Sequence, residues 1–188
     1  MVDRAKASTS SPVTASSFAN RLKLAHSLHS VTMVSTTLKT YVACVFVLYV
    51  KFLLTTFVQA TKTFAAGCRS PEDSSHILAK GKPQNYGLVA NQDDAALRKA
   101  KEVEMRWKRI VMNDLESIPL ALFVFGAGVL VDASEGVHVG AMVTYTVARI
   151  AHTIAYAKSL QPHRAWCWRI GVVSILVGGV NGVVAAFK

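Results

Sequence analysis

Arg149, His152, Thr153 and Tyr156 lie along the stretch 137–160, which is otherwise apolar enough to cross a bilayer, and on a helix these four share one face. A guanidinium near the middle of a span costs at least ~2.5 kcal/mol on insertion scales, so that face must meet protein, water or a ligand and not lipid. Upstream, Arg106, Arg109, Asn113 and Glu116 follow spacings of three, four and three, again one helical face, with Asp114 about 100° to its side. The chemistry these residue types support is anion recognition. Arg106, Arg109, Arg149 and Arg164 outnumber Asp114 and Glu116, which leaves guanidinium forks for a ligand carrying more than one negative group. The plainer alternative is that the two stripes satisfy one another. In that case Arg149 pairs with Glu116 or Asp114, His152 and Tyr156 hydrogen-bond across, and the cluster is interhelical glue.

Such side chains can be positioned only by spans that bury their other faces. The chain has 188 residues, 52% of them hydrophobic, and a mean hydropathy of +0.33, which excludes an ordinary soluble domain. Four segments approach the length needed to cross the hydrocarbon core, at about 38–66, 99–131, 137–160 and 164–187. Nothing alternates like a barrel strand, so the fold class is all-α, an integral membrane four-helix bundle occupying 36–188. Residues 1–35, rich in Ser, Thr and Ala, are expected to be a disordered or targeting tail. The second helix should start near Ala95, capped by Asn91, Asp93 or Asp94, and Pro119 inside it removes a backbone donor. The connector 67–94, punctuated by Pro71, Gly81 and Pro83, is long for a compact bundle and reads as a lid or a disordered loop. Gly178, Gly179 and Gly182 give the last helix a face for close packing.

The net charge of +10 sits at the margins of apolar segments with no interleaved aromatics, which argues for lipid or anionic ligands and against nucleic acid. Counting Lys and Arg puts the 67–109 connector and the 158–169 turn in the cytosol, with both termini lumenal. Cys44, Cys68 and Cys167 have no metal-ligand spacing and no even count for a disulfide framework; Cys44 and Cys167 read as buried hydrophobes and Cys68 as a candidate reactive thiol. Haem ligation by His152 would need a second histidine at matching depth, and none is evident.

The string Arg109-x-x-x-Asn113-Asp114-x-Glu116-x-Ile118-Pro119, followed by Arg149-x-x-His152-Thr153-x-x-Tyr156 and Gln161-Pro162-x-Arg164-Ala165, resembles the MAPEG family, the membrane-associated proteins in eicosanoid and glutathione metabolism. The resemblance covers about 38–187 and is closest to the microsomal glutathione transferase and prostaglandin E synthase branches, whose Pro-Glu-Asp triplet stands here at 71–73. It implies a homotrimer with glutathione as cofactor, bound between subunits near the cytosolic face and attacking hydrophobic small-molecule acceptors delivered by the lipid bilayer. Carried over by position, Lys62, Arg109, Asn113, Glu116, Arg149, His152, Thr153 and Tyr156 would bind glutathione, and Arg164 would sit beside its thiol. Asp73 matches an acidic residue proposed to assist proton transfer. No metal is implied. Ala165 and Met112 depart from the prostaglandin enzyme's serine and arginine, so a general transferase, with a companion peroxidase activity, is expected ahead of that isomerase or of a non-catalytic lipid-presenting adaptor. The endoplasmic reticulum is the expected membrane, with the mitochondrial outer membrane or another organelle as alternatives.

Overall fold

Among the described residues, four α-helices make up nearly all of the fold. The computed structural model describes residues 35–88 and 94–188; the tail expected over 1–35 lies outside them except for Ser35. Helix α1 spans Thr36–Ala65, α2 Ala95–Leu130, α3 Glu135–Ala157 and α4 Gln161–Ala186, with short 3₁₀ turns at Pro71–Ser75 and Ile77–Ala79. There is no strand among the described residues. The starts and stops follow local chemistry. Asp94 caps α2 by accepting from the N–H groups of Ala96 (2.9 Å) and Leu97 (3.3 Å), while Asn91 and Asp93 fall outside the described residues. Pro162 opens α4, where a missing N–H is harmless. The two tight turns between α2, α3 and α4 each carry one left-handed residue, Asp132 (φ 53°) and Ser159 (φ 60°).

Short turns force α2, α3 and α4 to run up and down, and Tyr41 meeting Leu122 while Lys51 meets Asp114 sets α1 antiparallel to α2. Helix α1 packs on α2 and α3, and α4 packs on the same two from the opposite side. The apolar core, Leu48, Ile118, Ala121, Phe125, Ala141, Met142 and Tyr145, fills the half of the bundle nearer the α2–α3 turn. Packing there is close enough to require glycine. A Cβ on Gly128 would stand 2.1 Å from the fully buried His138 ring, and one on Gly178 would stand 2.5 Å from Phe125. His138 is held by the Phe125 carbonyl, 2.9 Å from its Nε2.

Helices α1, α2 and α4 are long and apolar enough to cross a membrane. The stretch 137–160, expected from the sequence to be apolar enough to cross a bilayer, falls short of them: α3 is diluted by His138, Arg149 and His152, all buried inside the bundle. The helix that reads as least suited to lipid is the one most fully wrapped by protein.

The connector after α1 is also more ordered than its length suggests. Gln84, 3% exposed, accepts from the Arg69 N–H (3.2 Å) and donates to the Phe64 carbonyl (3.1 Å), while its backbone N–H donates to Ser74 Oγ (2.9 Å). His76 stacks on Phe64 with ring centroids 5.0 Å apart, so the segment through Leu88 is tied to the end of α1.

Candidate functional site

Three consecutive helices each send one charge to a single point. Asp114 of α2 accepts from Lys51 Nζ of α1 on Oδ2 and from Arg149 Nη2 of α3 on Oδ1. The Asp114 side chain is completely buried, and those of Lys51 and Arg149 are 10% and 2% exposed. Taking 1.5 Å per residue from the helix ends at the α2–α3 turn, all three lie about 21–24 Å along the bundle, at one depth. Gly171 of α4 completes the enclosure, since even a Cβ there would lie only 3.8 Å from the Tyr145 ring and 4.0 Å from Arg149 Cδ.

From this point a polar column runs toward the α3–α4 turn. His152 is 3% exposed and meets Tyr156 edge-on at 5.8 Å between centroids, and the Arg164 guanidinium lies over the Tyr156 ring at 4.3 Å. Helical periodicity stacks Arg149, His152 and Tyr156, and the short turn returns α4 so that Arg164, in its first turn, closes the column. Arg149 Nε, His152 Nδ1 and Thr153 Oγ1 are buried without a hydrogen-bond partner among the described residues. Buried polar groups of this kind call for a partner, which strain, an ordered water or a bound ligand accounts for.

The second sequence motif is disposed differently from expectation. Arg106, Arg109, Asn113 and Glu116 do share a face, but it does not oppose the α3 stripe within the chain: Arg109 and Glu116 are exposed, Arg106 and Asn113 half-buried, and Asn113 donates back to the Arg109 carbonyl at 2.8 Å. The face that meets α3 belongs to Asp114, so the expected apposition of the two stripes is corrected, and Arg149 pairs with Asp114 and not with Glu116. The offset of about 100° between neighbouring helix positions is the whole reason.

Lys62 lies half-buried in the last turn of α1. Asp73 stands in the first 3₁₀ turn, where Arg69 Nε donates to it at 2.8 Å, and no contact joins it to Arg164 among the described residues. Sequence reasoning passed over Lys51 as a site residue, together with the polar stripe below it. Lys51, Thr55, Gln59 and Thr63 repeat every four residues along α1; Thr55 and Thr63 are buried, and Gln59 donates to Thr63 at 2.8 Å. That spacing was the available signal.

Cys68, in the connector, is half-buried beside Gly87 and Lys101. Burial pushes its thiol pKa up, and the Glu104 carboxylate adds to this against the opposing pull of Lys101 and Lys108. Because the thiolate is the reactive form, Cys68 should alkylate more slowly than a free thiol at pH 7.5 and gain on it as pH rises to 9.5. Timed iodoacetamide labelling with peptide mapping measures this, and faster labelling than free cysteine at pH 7.5 would contradict the burial argument.

An all-helical bundle with three membrane-length helices and a buried charged column defines an integral membrane protein that holds polar chemistry inside lipid. The sequence profile of the MAPEG family matches residues 39–184, and the chain belongs to that family. No curated protein matches the chain closely.

Proposed function

We propose that the protein is a microsomal-type glutathione transferase, joining the glutathione thiolate to hydrophobic electrophiles and reducing lipid hydroperoxides as a companion activity. The observation that carries this reading is the column from Arg149 through His152 and Tyr156 to Arg164, which presents cationic and hydrogen-bonding groups in line from the bundle interior to its end. Glutathione has two carboxylates, one ammonium and a thiol, so a cation-rich lining with one or two carboxylates is its electrostatic complement. MAPEG membership supports a transferase or isomerase that uses this tripeptide.

The outward direction of Arg109, Asn113 and Glu116 supports a site built between copies of the chain. One copy contributes the exposed α2 face and its neighbour the α3–α4 column, which accords with a homotrimer. In this assignment Arg109, Asn113, Glu116, Arg149, His152, Thr153, Tyr156 and Lys62 bind the peptide, and Arg164 acts at the thiol. Asp73 keeps its proton-transfer role only if it leaves Arg69, and that engagement favours the transferase over the isomerase. The endoplasmic reticulum membrane is the proposed location.

Calorimetric titration of glutathione into the detergent-purified full chain tests the proposal. A saturable isotherm is expected, weakened when S-methylglutathione replaces the thiol. An absence of binding heat at millimolar glutathione, confirmed by failure to protect against thermal unfolding, would refute both enzyme readings and leave a lipid-presenting adaptor.

A further inference from the structure

Lys51 has no place in the sequence motifs, yet it occupies half of the only carboxylate that Arg149 touches among the described residues. An arginine and a carboxylate alone in a dry interior settle into a fork, with two parallel N–H···O bonds using both oxygens. Here Lys51 Nζ takes Asp114 Oδ2, and Arg149 reaches Asp114 through Nη2 on Oδ1 alone. The effect appears on the same guanidinium, whose Nε is buried with no partner among the described residues. The charge balance points the same way. Two cations share one carboxylate, so the cluster carries excess positive charge inside a membrane bundle. His152 Nδ1 and Thr153 Oγ1, on the same face of α3 and toward Arg164, are likewise buried and unpartnered.

We infer that Lys51 is a positioning residue for the ligand site: by holding Asp114 Oδ2 it keeps Arg149 in one-point contact and leaves a guanidinium N–H for an acceptor on the bound ligand, a carboxylate or a peptide carbonyl. The inference rests on the glutathione reading above. Lys51 touches no reacting atom. It acts through Asp114 on Arg149, and its charge supplies the excess that an anionic ligand neutralises.

The test uses the full chain in detergent, with Lys51→Met and Lys51→Arg beside the wild type. Glutathione and a chlorodinitrobenzene-type electrophile are each varied against saturating partner, and thermal unfolding is followed in parallel. Lys51→Met leaves Asp114 and Arg149 as a neutral pair free to close on both oxygens, so the midpoint of unfolding should be kept. The KM for glutathione should rise at least about tenfold, the scale of one lost hydrogen bond to a charged group. The KM for the electrophile should stay unchanged, and Lys51→Arg should restore the glutathione KM. An unchanged glutathione KM in Lys51→Met would overturn the inference. So would a Lys51→Met protein that fails to fold while Lys51→Arg folds, because Lys51 would then serve the bundle alone. Wild type that binds no glutathione defeats the functional reading itself, and that result is separate from any behaviour of the variants.

Discussion

Replacing Asp114 with alanine is expected to be the most destabilising single change in the bundle. The carboxylate is wholly buried and, among the described residues, is the one anion in contact with Lys51 and Arg149. Removing it strands two cations in a low-dielectric interior, and breaking a buried pair in this way costs about 3–5 kcal/mol. Against a total stability of about 5–15 kcal/mol that is a large fraction, equivalent to a fall of roughly 6–20 °C in unfolding midpoint for a domain of this size. Differential scanning fluorimetry of detergent-solubilised protein measures it, with size-exclusion chromatography reporting the folded fraction. The triple replacement Lys51→Met, Asp114→Leu, Arg149→Met should recover most of the loss, because an apolar cluster of similar volume often equals or exceeds a buried ion network in stability. An Asp114→Ala midpoint within a degree or two of wild type would mean that the cluster is hydrated and the argument from burial fails.

The second large effect is expected at Arg164, on activity and not on folding. A thiol of pKa ~8.5 is only about 3% thiolate at pH 7. Lowering that pKa by two units would raise the thiolate fraction about 25-fold. Intrinsic nucleophilicity falls with pKa at a Brønsted slope of ~0.4–0.5 and returns a factor of roughly eight. Ground-state ionisation therefore supplies only about a threefold gain, and the greater share must come from orienting the thiolate and from stabilising charge in the transition state, where one well-placed donor contributes about 10²–10³. Arg164 is half-buried in the first turn of α4 and braced over Tyr156, so its guanidinium is held in place by the protein itself. The helix N-terminus beneath it adds partial positive charge.

Arg164→Ala should therefore lower kcat/KM with a chlorodinitrobenzene-type acceptor by about 10²-fold at pH 7, given that orientation dominates over ionisation. The deficit should shrink as pH approaches 9, where free glutathione ionises unaided, and glutathione affinity should change far less than turnover. Thiolate absorbance near 239 nm on mixing with glutathione is the direct readout. An Arg164→Ala enzyme with wild-type turnover and an unaltered pH profile would remove Arg164 from the chemistry.

How much of this the sequence made legible follows from what a helical wheel contains. Apolar length and the lack of alternation sufficed for an all-helical membrane bundle, and the spacing of Arg149, His152 and Tyr156 sufficed for their common face. A wheel says which residues share a face but not where that face points. The Arg106–Glu116 stripe, expected to oppose α3, turns outward, while Asp114, one position from Asn113, takes the interior. Lys51 was harder still, because its partner lies on another helix and inter-helix register is written in no single segment. Order in the connector was also hidden. It rests on Gln84 reaching the Phe64 carbonyl at the end of α1 and on His76 stacking on the Phe64 ring, and nothing local distinguishes that glutamine from an exposed one.

The cluster of Lys51, Asp114 and Arg149 also bears on biosynthesis. The chain delivers its intramembrane charges one helix at a time, in the order cation, anion, cation. Each alone costs about 2.5–3.5 kcal/mol to insert, but α1 and α2 can enter as a hairpin in which Lys51 and Asp114 offset one another. Arg149 then arrives at a carboxylate with one oxygen still open. The order of charges along the polypeptide thus lets the Lys51–Asp114 pair form first and gives α3, the least lipophilic helix, a formed receptor to dock against.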